Sequence, residues 1–251
     1  MTKYLAIIHY NTPELTEAAI LSLRKHGGED VKVVVFDNSD ERPFKRRMKG
    51  VKRIDNTKGQ VIDFGEFLSQ YPEREERYAM LSNFGSAKHA RSVQELWRIL
   101  PEGFVLMESD VIIKKDISFL WMEDYAAAGK VQWHQPGNKW DIPRLLPMLC
   151  WLNVPLLEKY GAKYFDPQRC WALQKGVMTR GNWYDVGASL LEDIRRTKPE
   201  LVARNIANLG DYYSHFGGGS WKEDLKGQSR WLEEMKEYWC CGNATADRTS
   251  K

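Results

Sequence analysis

The stretch Phe104 to Lys114, FVLMESDVIIK, decides the fold because it is an apolar, strand-like run interrupted by two acids. Side chains two apart on an extended backbone point to the same side, so Glu108 and Asp110 should project together while Ser109 faces away. Adjacent carboxylates repel each other and are costly to bury unless a cation or hydrogen-bond donors meet them. A hard divalent ion, Mg²⁺ or Mn²⁺, suits such a pair together with substrate phosphates. The alternative is a strand end whose polar residues simply meet water.

A strand, helix, strand unit precedes this stretch. Tyr4 to His9 is predicted as a buried strand, Pro13 to about Lys25 as a helix, and Val31 to Asp37 as a continuously apolar second strand. A short third strand is predicted at Val51 to Ile54, and a helix at Ser86 to Leu100 leads into the central stretch. A strand, helix, strand unit has a right-handed crossover and parallel strands, so the pattern predicts an α/β fold.

The second half of the sequence is less regular. A helix is predicted over Ile117 to Ala128, ended by Gly129, and another over Val186 to Arg196. A glycine-rich turn at His215 to Trp221, HFGGGSW, precedes a terminal helix from Glu223 to about Tyr238. We find no internal repeat and no low-complexity linker, which favours one continuous unit.

Charge and cysteine content narrow the function classes. The 251 residues carry a formal charge of +3, from 37 Lys and Arg against 34 Asp and Glu. The two signs are interspersed and no long basic block is recognised, so nucleic acid is not the expected partner. The longest apolar region, Leu145 to Leu157, is broken by prolines and is too short for a bilayer span, so no transmembrane segment is predicted. The cysteines lack zinc-type spacing and are predicted to be reduced thiols of a cytoplasmic protein: Cys150, Cys170, Cys240 and Cys241.

Polar residues follow both of the first two strands. Ligands of open α/β sheets lie beyond the carboxyl ends of the strands, which places Tyr10 and Asn11 on the same rim as Asp37, Asn38 and Ser39. An Asp there can accept a hydrogen bond from a ribose hydroxyl or a base N–H, although Asp and Asn also serve as plain turn formers. The GxGxxG fingerprint is absent after the first strand, which argues against a dehydrogenase.

Four motifs in this order resemble those of the GT-A glycosyltransferases: YNTPEL at 10–15, FDNSD at 36–40, VLMESDVII at 105–113 and HFGGGSW at 215–221. The resemblance is strongest to the large inverting family, glycosyltransferase family 2-like, that adds sugars to bacterial polysaccharides and glycolipids. It covers the first half well and the last motif locally. It implies a GT-A fold with a Rossmann-like half and a mixed, mainly parallel sheet. Residues 1–251 would then be a single domain, with residues 1–115 binding the nucleotide-sugar and residues 116–251 binding the acceptor.

The resemblance also implies roles for individual residues. In that family an Asp matching Asp37 contacts the base or ribose. The DXD motif, here Glu108-Ser109-Asp110, meets the ribose with its first acid and holds Mn²⁺ or Mg²⁺ with its second. A late His, matched by His215, completes the metal shell. Glu108 departs from the usual Asp by one methylene.

Inverting transfer also needs a general base, normally a carboxylate that takes the proton of the acceptor hydroxyl. Asp185, in GNWYDVG, is the first candidate, and Asp141, beside Trp140, is the second. Helix capping is the alternative role for Asp185. His89 is a further candidate for the pocket, with a surface or capping role as its alternative.

The resemblance thus implies a metal-dependent, inverting glycosyltransferase that moves a sugar from a UDP- or GDP-sugar to a saccharide or lipid-linked acceptor. Peripheral attachment at the inner membrane is an open alternative. One rival is a sugar nucleotidyltransferase, which needs a glycine-rich phosphate loop where this chain reads HYNTPE. The other is a non-catalytic carbohydrate- or nucleotide-binding protein, for which the ten Trp would suffice. The presence of both Asp110 and His215 favours a metal site and therefore catalysis.

Overall fold

The computed structural model describes residues 2–65, 84–133, 143–166, 185–217 and 224–240. The strands in this part of the chain are β1 Tyr4–His9, β2 Lys32–Asp37, β3 Val51–Asp55, β4 Phe104–Glu108, β5 Val111–Ile113, β6 Ala127–Gln132, β7 Arg144–Leu152, β8 Ala203–Asn205 and β9 Tyr213–His215. The α-helices are α1 Pro13–Lys25, α2 Phe84–Ile99, α3 Val154–Lys159, α4 Ala188–Glu192, α5 Leu225–Glu234 and α6 Lys236–Trp239. No helix of the described residues is both long enough and apolar enough to cross a membrane.

Seven strands form one sheet in the order β3-β2-β1-β4-β7-β6-β8, and β5 pairs with β9 in a separate two-stranded sheet. The first four strands in that order are mutually parallel. β7 is antiparallel to both neighbours, and β8 is parallel to β6. The predicted α/β fold with a mixed, mainly parallel sheet is therefore confirmed.

The central strands are buried on both faces, as their continuous apolar runs predict. In β1, Ala6 and Ile8 pack on the same side as α2, whereas Leu5 and Ile7 pack on the side of α1. Helix α2 contributes Trp97 to the first of these cores. Because both faces of the central strands are covered, polar groups reach solvent at the ends of these strands, and the acids of the central stretch follow the carboxyl end of β4.

The helix predicted over Ile117 to Ala128 is wrong. The chain forms a short 3₁₀ turn at Ser118–Leu120, and the strand β6 begins at Ala127. Small residues are required there by close packing on β7, since a Cβ on Gly129 would lie 2.8 Å from the Cβ of Cys150. The alanines therefore serve a tight strand pair, and tertiary packing overrides their helix propensity.

The helix predicted to begin at Val186 begins instead at Ala188, as α4. Gly187 precedes it with a φ of +83°, a left-handed conformation that glycine adopts without a steric penalty. A Cβ at that position would lie 2.1 Å from the carbonyl oxygen of Leu145. The N-cap is Gly187, so the alternative role of Asp185 as the cap of this helix is wrong.

Candidate active site

The turn between β4 and β5 carries the acids of the central stretch. Glu108 is the last residue of β4, and Ser109 and Asp110 form the turn that leads into β5. The pairing of β5 with β9 sets Val111 opposite His215, and the N–H of Phe216 donates to the carbonyl of Asp110 at 3.0 Å. Two segments far apart in sequence are thus fixed beside each other by backbone hydrogen bonds.

Glu108, Asp110 and His215 converge at this turn, and we call them the acid–histidine triad. The Nε2 of His215 lies 3.0 Å from Oε2 of Glu108 and 3.2 Å from Oδ1 of Asp110. Glu108 and His215 are partly exposed, whereas Asp110 is buried. Ser109 faces elsewhere, with its hydroxyl 3.1 Å from the hydroxyl of Thr12 at the start of α1.

The charge of the triad is unbalanced. Burial alone would lower the pKa of His215, but its hydrogen bonds to Asp110 and Glu108 outweigh burial and raise that pKa to about 10. The protonated imidazole neutralises one carboxylate, so the three groups keep one net negative charge when both acids are ionised. A cation is the natural partner for such a cluster.

The donor set fits a divalent ion. One ligand atom from each triad residue can be chosen so that all three lie within 4.8 Å of one another. Opposite ligands of Mg²⁺, each at about 2.1 Å, are about 4.2 Å apart, so small side-chain movements would suffice. Carboxylate oxygens suit Mn²⁺ and Mg²⁺, and the neutral imidazole is the commonest metal-binding side chain in proteins. The proton on His215 must leave before its nitrogen can bind an ion.

The rim beyond β1 and β2 holds a second polar group. The hydroxyl of Tyr10 donates to Asp40 at 2.6 Å, and the side-chain amide of Asn11 donates to the other oxygen of Asp40 at 2.5 Å. The backbone N–H of Asn11 donates to the hydroxyl of Ser39 at 2.9 Å. Burial alone would raise the pKa of Asp40, but the hydrogen bonds from Tyr10 and Asn11 lower it. The rim therefore presents an exposed, ionised carboxylate.

Asp37 lies behind this rim and is fully buried. It accepts hydrogen bonds from the N–H of Ser39 at 3.0 Å, the N–H of Phe44 at 2.8 Å and Nε of Arg53 at 2.7 Å. A ligand could reach Asp37 only by displacing one of these donors.

Asn38 is similarly engaged, donating to the hydroxyl of Ser92 and accepting from the side chain of Asn56, both at 2.8 Å. The exposed acid of FDNSD is Asp40, which the sequence reasoning missed although it closes that motif.

The start of helix α2 lies beside both the rim group of Tyr10, Asn11 and Asp40 and the acid–histidine triad. The Nζ of Lys88 is 5.3 Å from the ring centroid of Tyr10, and burial lowers the pKa of Lys88, with Asp40 opposing this. Both ring nitrogens of His89 are inaccessible to water and have no hydrogen-bond partner among the described residues. Burial lowers the pKa of His89, and the charges of Glu108 and Asp185 act in the opposite direction. The sequence did not indicate a role for Lys88, because its contact with the ring of Tyr10 depends on how α2 packs against the sheet.

Asp185 lies at the same end of α2. One of its carboxylate oxygens accepts from the hydroxyl of Ser86 at 2.9 Å and from the N–H of Val186 at 2.7 Å. The other oxygen is paired with the guanidinium of Arg144. As a base it would first have to be released from that guanidinium. Asp141, the second candidate, lies outside the described residues.

Comparison with known proteins gives the fold a name. No protein-family model matches the sequence, and no curated protein matches it. The galactosyltransferase LgtC, in complex with donor and acceptor sugar analogues, has a TM-score of 0.52 at 11% identity over 94% of this chain and 99% of LgtC.

Two other solved structures give lower scores. The glycosyltransferase GlyE of Streptococcus pneumoniae TIGR4 has a TM-score of 0.45 at 11% identity, over 94% of this chain and 50% of GlyE. The mannosyltransferase PcManGT of Pyrobaculum calidifontis, in complex with GDP-Man and Mn²⁺, has 0.42 at 14% identity, over 83% of this chain and 55% of PcManGT. The chain thus spans about half the length of these two proteins. The likeness to LgtC, with its TM-score of 0.52, names the fold: the chain has the GT-A fold predicted from its four motifs.

Proposed function

We propose that the protein is a metal-dependent glycosyltransferase that moves a sugar from a UDP- or GDP-sugar to a saccharide or lipid-linked saccharide acceptor. The observation that carries this proposal is the convergence of Glu108, Asp110 and His215 at the carboxyl edge of a GT-A sheet. LgtC, which shares the fold, was crystallised with donor and acceptor sugar analogues. In this proposal residues 1–115 form the nucleotide-sugar half and residues 116–251 the acceptor half.

The nucleoside would lie on the rim. Tyr10, Asn11 and Asp40 offer an aromatic ring, an amide and an ionised carboxylate within one hydrogen-bonded group. A carboxylate can accept hydrogen bonds from ribose hydroxyls or a base N–H. Asp37 and Asn38 would support this surface from behind, Asp37 through its hydrogen bond with Ser39.

The diphosphate would lie between the rim and the triad. The amino end of the 16-residue helix α2 and the ammonium group of Lys88 both favour an anion there. A divalent ion held by Asp110 and His215, with Glu108 beside it, would neutralise the charge that grows on the departing nucleoside diphosphate. The bond from the anomeric carbon to the diphosphate breaks, and a bond to the acceptor oxygen forms.

The acceptor hydroxyl must lose its proton to a base. Inversion, which the family resemblance implies, needs a general base on the far side of the sugar ring, normally a carboxylate. Asp185 and Asp141 remain the candidates, and Asp185 would have to separate from Arg144 first. Proton NMR of the fresh product distinguishes the outcomes, since an anomeric configuration equal to that of the donor would exclude inversion.

Incubation with individual nucleotide-sugars tests the proposal directly. We expect release of a nucleoside diphosphate that needs Mn²⁺ or Mg²⁺ and that rises when saccharide acceptors are added. Formation of a nucleoside triphosphate on addition of pyrophosphate would instead identify a sugar nucleotidyltransferase. Saccharide binding with no turnover of any donor would identify a non-catalytic binding protein.

A further inference from the structure

The loop between β2 and β3 and the first residues of β3 form a basic segment. Residues 42–53, RPFKRRMKGVKR, contain seven Lys and Arg and no Asp or Glu. We call them the basic loop. The expectation of a chain without a basic block is therefore wrong for this segment, and the candidate active site uses none of its cations to hold a substrate.

Acids elsewhere in the fold neutralise part of this charge. Three of the cations are in ion pairs: Arg42 with Glu14 at 2.6 Å, Arg46 with Glu17 at 3.1 Å, and Arg53 with Asp37 at 2.7 Å and Asp55 at 3.0 Å. The other four are exposed and form no ion pair with the described residues: Lys45, Arg47, Lys49 and Lys52. The segment therefore carries cations that fold stability does not explain.

The basic loop lines an open concavity of about 390 Å³. Its lining consists of cations around an apolar floor: Lys45, Arg46, Arg47 and Arg53 with Phe44, Met48 and Val51. Phe44 is fully buried, and its N–H donates to Asp37. Arg53 donates to the same carboxylate. Asp37 of β2 therefore holds two lining residues in place, Phe44 and Arg53, while Lys45 and Arg47 are exposed to solvent.

This concavity is separate from the candidate active site. It lies against β3, the edge strand, whereas the acid–histidine triad follows β4, three positions along the sheet. At about 4.8 Å between strands, the separation is about 14 Å. None of the residues that line the concavity belongs to the triad or to the rim group of Tyr10, Asn11 and Asp40.

We propose that this concavity binds a phosphate group, as a second anion site independent of the proposed donor site. Guanidinium groups match phosphate oxygens in pairs of hydrogen bonds, and a lysine adds a point charge. The apolar floor suits a phosphate that carries an organic or lipid substituent. The phosphate has two sources, the headgroup of an anionic lipid surface or a soluble phosphate compound.

Two probes distinguish these two sources of phosphate. Both are used in excess EDTA, which keeps the acid–histidine triad free of metal. The first is co-sedimentation with phosphatidylglycerol–phosphatidylcholine vesicles, compared with vesicles of phosphatidylcholine alone. The second is calorimetry with inorganic pyrophosphate. The test variant is Lys45→Glu with Arg47→Glu. Its matched control is Lys226→Glu with Arg230→Glu, which makes the same charge change at exposed positions of α5.

We expect the natural protein to bind at least one probe and the basic-loop variant to lose that binding. Each cation near an anionic surface strengthens binding about five-fold, so two reversals should weaken vesicle binding by at least about 25-fold, with the control variant little changed. Vesicle binding alone identifies a lipid headgroup, and pyrophosphate binding identifies a soluble compound.

Failure of both probes with the natural protein would overturn the proposal. So would a basic-loop variant that binds normally, or equal losses in the two double variants, since these would reflect net charge alone. Thermal unfolding checks that each variant is folded. Binding of nucleoside diphosphates in Mn²⁺ should survive in the basic-loop variant, so failure of this proposal and failure of the proposed function can be distinguished.

Discussion

Two acids at the carboxyl ends of parallel strands have opposite surroundings in this fold. Asp37, which ends β2, is fully buried and accepts from two backbone N–H groups and Arg53. Glu108, which ends β4, is partly exposed and shares the single imidazole of His215 with Asp110. An acid at the edge of a sheet thus supports the fold when protein donors satisfy it, and is available to a cation when they do not.

The largest effect that this comparison predicts is on stability. Asp37→Ala leaves two backbone N–H groups without their acceptor and leaves Arg53 with Asp55 as its remaining ion-pair partner. Because Asp37 is fully buried while Arg53 is partly exposed, the cost should lie near the lower end of the range for a broken buried ion pair, about 3 kcal/mol. Urea unfolding measures the loss. Asp110→Ala removes one of two like charges beside a single imidazole, so it should cost clearly less. A greater loss of unfolding free energy in Asp110→Ala than in Asp37→Ala would contradict the comparison, because Asp110 would then be the acid that supports the fold.

A smaller effect is expected at Asp40, the exposed acid of the rim. Asp40→Asn keeps the size of the side chain but removes the charge, so affinity for a nucleoside diphosphate in Mn²⁺ should fall about ten-fold, as for one charge-assisted hydrogen bond. Stability should change by less than about 0.5 kcal/mol, as is usual at the surface. Asp124→Asn, also at an exposed position, is the control. Unchanged affinity in Asp40→Asn would mean that the nucleoside does not contact this rim acid.

The smallest effect concerns His9, which donates to or accepts from Thr16 at 2.7 Å beside Asp37. Burial lowers the pKa of His9 below its ordinary 6.5, and Asp37 opposes this only partly. The unfolded chain therefore takes up a proton more readily, so the stability from neutral His9 is present above pH 6.5 and lost as the pH falls below it.

His9→Gln tests this directly. The free energy of unfolding should fall less steeply between about pH 7.5 and pH 5 in the variant than in the natural protein. The other histidines contribute equally to both proteins and cancel in the difference. A steeper fall in the variant would show that His9 is charged in the folded state.

Much of the fold follows from local pattern, whereas the details of packing do not. β1, β2 and β4 are continuous apolar runs of strand length, and α1 is bounded by Pro13 and Gly27, so their places could be predicted. The helix expected before Gly129 was wrong because the small residues there serve contact with β7, which is distant in sequence. Periodicity cannot distinguish small residues that favour a helix from small residues that permit close approach.

The candidate site shows the same division. The break at Glu108 and Asp110 is visible in the sequence because acids interrupt an apolar run. Asp37 accepts hydrogen bonds from Phe44 and Arg53, whereas Asp40 is exposed. This difference depends on the path of the basic loop, which sets the positions of Phe44 and Arg53. The guanidinium that meets Asp185 likewise comes from β7, and no local motif indicates that contact.

Calorimetric titration of UDP and GDP in Mn²⁺ and in EDTA tests the central claim, that the acid–histidine triad holds a divalent ion for the donor. The natural protein should bind a nucleoside diphosphate only with the metal, and Asp110→Ala and His215→Ala should each lose most of that binding. The double variant should be scarcely worse than either single one, with a coupling of about 0.5–3 kcal/mol, because the two residues share one ion. Equal affinity in EDTA, or losses that simply add, would contradict the account.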